Sequence, residues 1–165
     1  MILLGIDPGE KGGLALVNCR PGRRPRLIEA MTMPIKTVRN KKTLHIYAVD
    51  QWLKQFEKPE VGVCELVSAM PKQGVSSSFQ FGRMFGAVET VMYAYCETQH
   101  YIPASKWKQG LGLSSDKSAS IDLATRMFGQ EAANEWWPVG PRGGTPRDGV
   151  AEAALIAYYF AKKGL

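Results

Sequence analysis

Four carboxylates stand where the chain gives them more to do than face water. Asp7 ends the apolar run Met1-Ile2-Leu3-Leu4-Gly5-Ile6 just before a Pro8-Gly9 turn, and Glu65 follows the compact apolar stretch Val61-Gly62-Val63-Cys64. Asp148 and Glu152 lie four apart at the head of an Ala-rich helical segment, so the two share one helix face. Taken singly, each has a plain explanation: Asp before Pro-Gly forms turns, Asp148 suits a helix N-cap, and Glu152 suits the positive end of the helix dipole. Taken as a set they differ, because carboxylates brought together repel and resist ionisation unless a cation lies between them. The chemistry to expect is that of a divalent cation on oxygen ligands. Softer ligands are poorly placed to compete: Cys19, Cys64 and Cys96 have no C-x-x-C spacing, and neither His45 nor His100 has a soft ligand beside it. That points to magnesium or manganese.

For these acids to meet, distant segments must fold to one place. Residues 2–6 and 13–18 are apolar runs around Asp7-Pro8-Gly9-Glu10-Lys11-Gly12, which reads as a β-hairpin whose glycine-rich turn allows positive φ. The Gly12-Gly13 pair on the return strand would leave room for a phosphate backbone. A third meander strand over 27–33 follows the basic turn Arg20-Pro21-Gly22-Arg23-Arg24-Pro25, and a helix near 45–56 has Trp52, Leu53 and Phe56 as its apolar stripe. Residues 61–66 suit a buried parallel strand, whose carboxyl end is where open α/β sheets bind ligands. Phe81, Met84, Phe85, Val88, Val91, Met92 and Tyr95 recur at helical spacing over 76–97, with Gly82 and Gly86 on successive turns. Two such glycines lower helix propensity, which close approach of another backbone, from the sheet or a second subunit, would offset. A short strand near 100–102, a helix over 115–128 capped by Ser114 or Ser115, a Gly/Pro-rich mobile loop over 138–149 and a last helix over about 148–163 complete the chain. Trp136 and Trp137, just before that loop, read as core or loop anchors. The fold class is α/β: a mixed five-stranded sheet, three antiparallel meander strands plus parallel strands, flanked by helices in one domain.

Bulk properties narrow the partners. The 165 residues are 45% hydrophobic, enough for one real core, and carry 21 Lys plus Arg against 15 Asp plus Glu, a net charge of +6. If four of those acids are spent on a cation, the remaining surface is more basic still, which favours a polyanion. An odd number of cysteines argues against a disulfide framework and for a reducing compartment, the cytoplasm. No apolar stretch approaches the roughly 20 residues that span a bilayer, and no leader precedes the first strand, so the expectation is a soluble, unprocessed protein with no membrane partner.

Strand, strand and helix carboxylates in this order match the layout of two-metal nucleases, whose ions sit roughly 3.5–4 Å apart. On Gly5-Ile6-Asp7-Pro8-Gly9, on Glu65 at the end of the central strand, on the Gly82/Gly86 helix, on Ser115-Asp116-Lys117-Ser118 and on Asp148-Gly149-Val150-Ala151-Glu152-Ala153, the chain resembles the RuvC-type Holliday junction resolvases of the RNase H-like (retroviral integrase) superfamily. The likeness covers nearly the whole chain and is nearer to compact phage or viral members than to the standard bacterial enzyme. It implies that Asp7, Glu65 and Asp148 and/or Glu152 are catalytic acids holding two magnesium ions, with manganese able to substitute, and that Lys108 and Lys117 approach the scissile phosphate. The chain departs from the family in placing its late acids four apart rather than three, and in having Leu66 rather than Gln after the central Glu. Met70 or Phe79 would supply the apolar wedge at a crossover.

What the likeness implies is a metal-dependent endodeoxyribonuclease that resolves four-way or other branched DNA by paired cuts, leaving 5′-phosphate and 3′-hydroxyl ends. Paired cuts in a two-fold symmetric junction imply a homodimer, with the Gly82/Gly86 helix at its interface. Met70, Lys72, Phe79, Arg83, Lys106, Lys108, Lys117, Arg142 and Arg147 are the candidate DNA contacts; further cations at Lys36, Arg39, Lys41 and Lys42 belong to the same basic surface. Two rival readings remain: a non-catalytic branched-DNA-binding protein on the same scaffold, and a nucleotide-binding fragment of the actin and sugar-kinase type, whose Gly-Ile-Asp-x-Gly turns also cradle phosphates.

Overall fold

The computed structural model describes all residues except 69–73, 115, 139–146 and 165. Its frame is a five-stranded sheet in the order β3-β2-β1-β6-β7. Strands β1 (Ile2–Asp7), β2 (Gly13–Asn18) and β3 (Arg26–Thr32) form the antiparallel meander, and β6 (Val61–Leu66) and β7 (Thr98–Pro103) run parallel to β1. The expected mixed sheet is therefore present. β1 lies at its centre, hydrogen-bonded on both sides and buried on both faces, which is why it reads as an unbroken apolar run rather than an alternating one.

Side chains of β1 alternate between two cores. Ile2, Leu4 and Ile6 pack with Val49, Leu53, Val88, Val91 and Met92 from α1 (Ile46–Leu53) and α2 (Val75–Tyr95). Leu3 packs on the other face with Trp107, Ile121, Trp137, Leu155 and Phe160. That second layer is built from α3 (Ala104–Gly110), α4 (Lys117–Phe128), α5 (Gln130–Trp136) and α6 (Asp148–Lys163). Trp137 is fully buried and donates to Thr125 Oγ1, while Trp136 donates to Glu29, so both are anchors as their position suggests. The basic turn after β2 has a structural duty as well: Arg24 donates to the carbonyls of Arg126 and Met127, satisfying the end of α4.

Several elements differ from the sequence reading. A separate antiparallel hairpin, β4 (Ile35–Val38) and β5 (Lys41–Leu44), stands between β3 and α1, where no strand is expected from apolar periodicity because its residues are mostly polar or charged. α3 and α5, each seven residues long, are too short to show a helical period. The N-cap of α4 is Asp116, whose carboxylate accepts from Ser118 N at 3.0 Å, rather than Ser114; Ser114 Oγ instead accepts from Asp116 N. Ser115 and most of the 138–149 loop lie outside the described residues.

The glycines of the first turn serve a different end from the one their composition suggests. None of Gly9, Gly12 and Gly13 has positive φ. A Cβ on Gly13 would stand 2.7 Å from Val150 Cα, and one on Gly149 would stand 2.4 Å from the Lys11 carbonyl oxygen. Gly12 and Gly149 form a parallel backbone bridge. The space at Gly12-Gly13 is thus filled by the start of α6 and is not open to a phosphate backbone. Deeper in the sheet, Gly5 lies so near Ala153 that a Cβ would come within 2.0 Å of its carbonyl oxygen. Missing side chains on β1 and β2 let α6 sit directly on the strands with its N-terminus at the Asp7 end.

Candidate active site

The alternation that buries Leu3 beneath α6 puts Gly5 and Asp7 on the same face, and the alternation of β6 does the same for Val61, Val63 and Glu65. The β1–β6 register pairs Leu3 with Val61 and Ile6 with Cys64, so one further step sets Asp7 level with Glu65 on adjacent parallel strands. Asp7 ends β1 and Glu65 is the last residue but one of β6, where the sheet stops and its carboxyl edge opens. α6 begins at that edge: Gly149 bridges to Gly12, and Gly13 pairs with Asp7. Asp148 is the first residue of α6 and Glu152 lies one turn further on, both partly buried. Three segments far apart in sequence thus deliver four carboxylates to one place.

Their electrostatics record the crowding. The Asp7 carboxyl is pushed up to about 7, first by burial and then by the charges of Glu152, Glu65 and Asp148, with Lys108 opposing. Glu65 is raised too, mainly by burial; the Trp107 indole works against this, Glu152 adds to it, and Lys108 lowers it. Trp107 is fully buried and donates Nε1–H to Glu65 Oε2 at 2.8 Å. Lys108 Nζ meets Glu152 Oε1 at 2.9 Å, and the buried Ser120 hydroxyl donates to the same oxygen at 2.9 Å. α3 therefore places an indole N–H on one acid and an ammonium on another.

A divalent cation suits this donor set chemically, since every ligand is a hard carboxylate oxygen and the like charges disfavour ionised Asp7 when nothing offsets them. As the side chains stand, no three acids among the described residues close round a single point; Glu152 and Glu65 are each turned to a partner from another element. Asp7, Glu65, Asp148 and Glu152 are the residues that could hold such an ion.

The other residues singled out by the sequence distribute as follows. Lys108 is in the site, paired with Glu152, while Lys106 on the same helix is exposed. Arg147 is exposed immediately before Asp148, so it flanks the acids. Phe79 is 69% exposed near the start of α2, and Arg83 is exposed one turn on. α4 opens at Lys117, whose side chain lies outside the described residues, as do Met70, Lys72 and Arg142. Trp107 and Ser120 have roles that sequence reasoning missed. For Trp107 the signal was a lone aromatic between Lys106 and Lys108; for Ser120 it was a hydroxyl one turn into a polar helix start.

No protein-family model matches the sequence, and no curated protein does. Solved structures do match in fold. RuvC of Thermus thermophilus in complex with a Holliday junction substrate is 21% identical, with 99% of this chain and 97% of that chain covered at a TM-score of 0.65. A second Thermus thermophilus RuvC structure is 18% identical over the same shares at a TM-score of 0.66. The yeast mitochondrial Holliday junction resolvase Ydc2 is 16% identical, with 99% of this chain and 84% of that one covered at a TM-score of 0.61. The likeness in fold is to RuvC-type resolvases over nearly the whole chain, which bears out the RNase H-like architecture.

Proposed function

We propose that the protein is a metal-dependent endonuclease that resolves four-way and other branched DNA by paired phosphodiester hydrolysis, leaving 5′-phosphate and 3′-hydroxyl ends. The observation that carries this reading is the meeting of Asp7, Glu65, Asp148 and Glu152 at one sheet edge, in a fold shared with proteins described as Holliday junction resolvases. A carboxyl pushed up to about 7 by burial and by three other acids is a poor stabilising feature and a good cation site.

In this reading Asp7 and Glu65 would hold two magnesium ions from the strands, with Glu152 and Asp148 from α6. Glu152 acts on Asp7 more strongly than Asp148 does, which favours Glu152 as the principal helix ligand. When bound, the ions supply an activated water and steady the departing 3′ oxygen. The chain's own residues do the rest. Trp107 fixes the rotamer of Glu65, and Ser120 fixes Glu152, so that the acids are oriented before substrate arrives. Lys108, brought to the site by α3 and paired there with Glu152, would offset negative charge growing on the attacked phosphate. Arg147, Lys106 and Arg83 are exposed cations available to DNA phosphates, and Phe79, exposed near the start of α2, is kept for the wedge between bases and not for a subunit contact.

Paired cutting calls for two copies. Val75, Gly82, Gly86 and Tyr93 recur at spacings of seven and four along one outward stripe of α2, with Val75 89% and Tyr93 65% exposed. A Cβ on Gly82 or Gly86 would meet nothing within 4 Å. A flat apolar stripe with small residues at its middle suits the same helix of a second copy.

The deciding experiment incubates a synthetic four-way junction with protein and magnesium, beside linear duplex and beside Asp7→Asn. Symmetric nicks confined to the junction and lost in the variant are expected. Equal cutting of plain duplex would reduce the reading to a general nuclease, and junction binding unchanged in both without any cutting would leave a DNA-binding protein.

A further inference from the structure

The β4–β5 hairpin is unexplained by the catalytic centre, yet the fold directs it there. β3 ends at Thr32, which pairs with Gly13, which pairs with Asp7, so the chain leaves the sheet for the hairpin at the same edge as the carboxylates. The base is fastened. Met33 N donates to Gly12 O at 2.9 Å, His45 N donates to Pro34 O at 2.8 Å, and Met33 and Leu44 are buried. Lys42 pairs with Glu10, three residues past Asp7, and Gln80 of α2 donates to the Lys42 carbonyl. A groove lined by Gly9, Glu10, Lys41, Lys42, Ser76 and Gln80 separates the hairpin from the start of α2.

Beyond that base, residues 36–42 are all exposed. Residues 35–44 hold four cations and no acid. Because Ile35 and Leu44 are paired and turn inward, the pleat sends Lys36 and Lys41 to the opposite face, while Lys42 is turned to Glu10. Among the described residues Lys36, Arg39 and Lys41 have no ion-pair partner. At the tip, Arg39 and Asn40 both have positive φ, at 50° and 58°. That is a two-residue turn of the kind that Asn-Gly forms without strain, and an arginine in its first position runs against local preference. A tip that holds an arginine in a conformation it disfavours, with both Arg39 and Asn40 exposed, is a tip kept for contact.

We propose that the β4–β5 hairpin is a DNA-reading arm: Arg39 and Asn40 reach base edges in the major groove of the duplex beside the cut, while Lys36 and Lys41 hold flanking phosphates. The inference rests on the branched-DNA reading above and adds the element that sets cut-site preference. A two-stranded ribbon fits the major groove, and arginine and asparagine are the side chains that grip guanine and adenine edges in bidentate fashion.

The test uses the whole protein with Arg39→Asn and Asn40→Gly combined, a pair chosen because Asn-Gly suits the turn and removes both readers. Its Tm is expected to equal or exceed that of the wild type. Its Kd for a four-way junction should weaken by tenfold or more, and its cuts across a panel of junctions of different sequence should lose their preference. Lys36→Gln with Lys41→Gln should reduce the slope of log Kd against log salt by about two. Unchanged Kd and unchanged cut sites in a wild type that binds and cuts junctions would overturn the arm alone; a wild type that binds no DNA would overturn the arm and the branched-DNA reading together. Loss of binding accompanied by a fall in Tm would mark the hairpin as a structural brace and overturn the arm as well.

Discussion

Lys108 and Glu152 meet at 2.9 Å across the junction of α3 and α6, and the same ammonium lies 5.1 Å from the ring of Trp107, whose indole holds Glu65. One short helix thus controls two acids that come from a strand and a different helix. Among the described residues, Lys108→Met should leave the partly buried Glu152 with Ser120 as its partner and should remove the positive charge that lowers the Asp7 and Glu65 carboxyls. Junction nicking is expected to fall by roughly 10²-fold, the scale of losing one charge-stabilising donor. Lys108→Arg should restore part of the lost nicking. Wild-type nicking by Lys108→Met would remove Lys108 from the mechanism.

Helix α6 is positioned by absent side chains, and Gly5 is where this is tightest. A Cβ there would overlap the Ala153 carbonyl oxygen at 2.0 Å, and backbone cannot yield as a side chain would. Gly5→Ala should lower unfolding stability by about 1–3 kcal/mol, as overpacked cores do. Because Glu152 is the neighbour of Ala153, nicking should fall further than stability, on the order of 10²-fold for a displacement of about 1 Å. Gly62→Ala is the control: its Cβ would meet the flexible Met92 and Cys96 side chains on the opposite face of the sheet. Denaturant titration and single-turnover nicking of the two variants should separate them, and equal activity in both would mean that α6 placement does not set the rate.

The parts of this site that were legible in the sequence are those written in local pattern. Asp7 and Glu65 were legible because unbroken apolar runs mark central strands, and an acid at the end of such a run must lie at the sheet edge. Asp148 and Glu152 were legible from helical spacing. Trp107 and Ser120 were not, because each acts through a contact made across about 42 and 32 residues of chain, and no local period encodes such a contact. Gly12 and Gly13 misled for the same reason: a glycine pair beside a turn signals that something comes close, but only the fold reveals that the visitor is Val150 rather than a phosphate. The β4–β5 hairpin escaped because an exposed ribbon of Lys, Thr and Arg has no apolar alternation to read.

The raised Asp7 carboxyl makes a prediction about stability against pH. Its folded value of about 7 lies above its ordinary value of 3.8, so between these two the unfolded chain has released the proton while the folded chain keeps it. Stability therefore falls as pH rises through that window and stays reduced above it. Asp7→Asn abolishes this term. In chelator, the variant should be more stable than the wild type by roughly 2–4 kcal/mol at pH 8, and the gap should close near pH 4. Magnesium should narrow the gap at pH 8, because a cation favours the ionised carboxylate. Urea unfolding across pH 4–8 with and without magnesium checks it; a gap independent of pH would show that the Asp7 carboxyl is not the crowded group.

The outward stripe of α2 allows a substitution that the single chain should welcome and a pair should not. Gly86 meets nothing in its own chain, so Gly86→Leu relieves a helix-interior glycine and should stabilise the isolated fold by about 0.5–1 kcal/mol. Against a second α2 the new side chain would hold the two helices apart at the point where they must come nearest. Sedimentation should therefore show the wild type as a dimer and Gly86→Leu as a monomer of equal or higher Tm. On a four-way junction the variant should give single nicks in place of paired cuts, since each copy then meets the DNA alone. A Gly86→Leu protein that still sediments as a dimer and still cuts in pairs would place the two-fold interface on another surface, and the exposed Val75 and Tyr93 would then need a different partner.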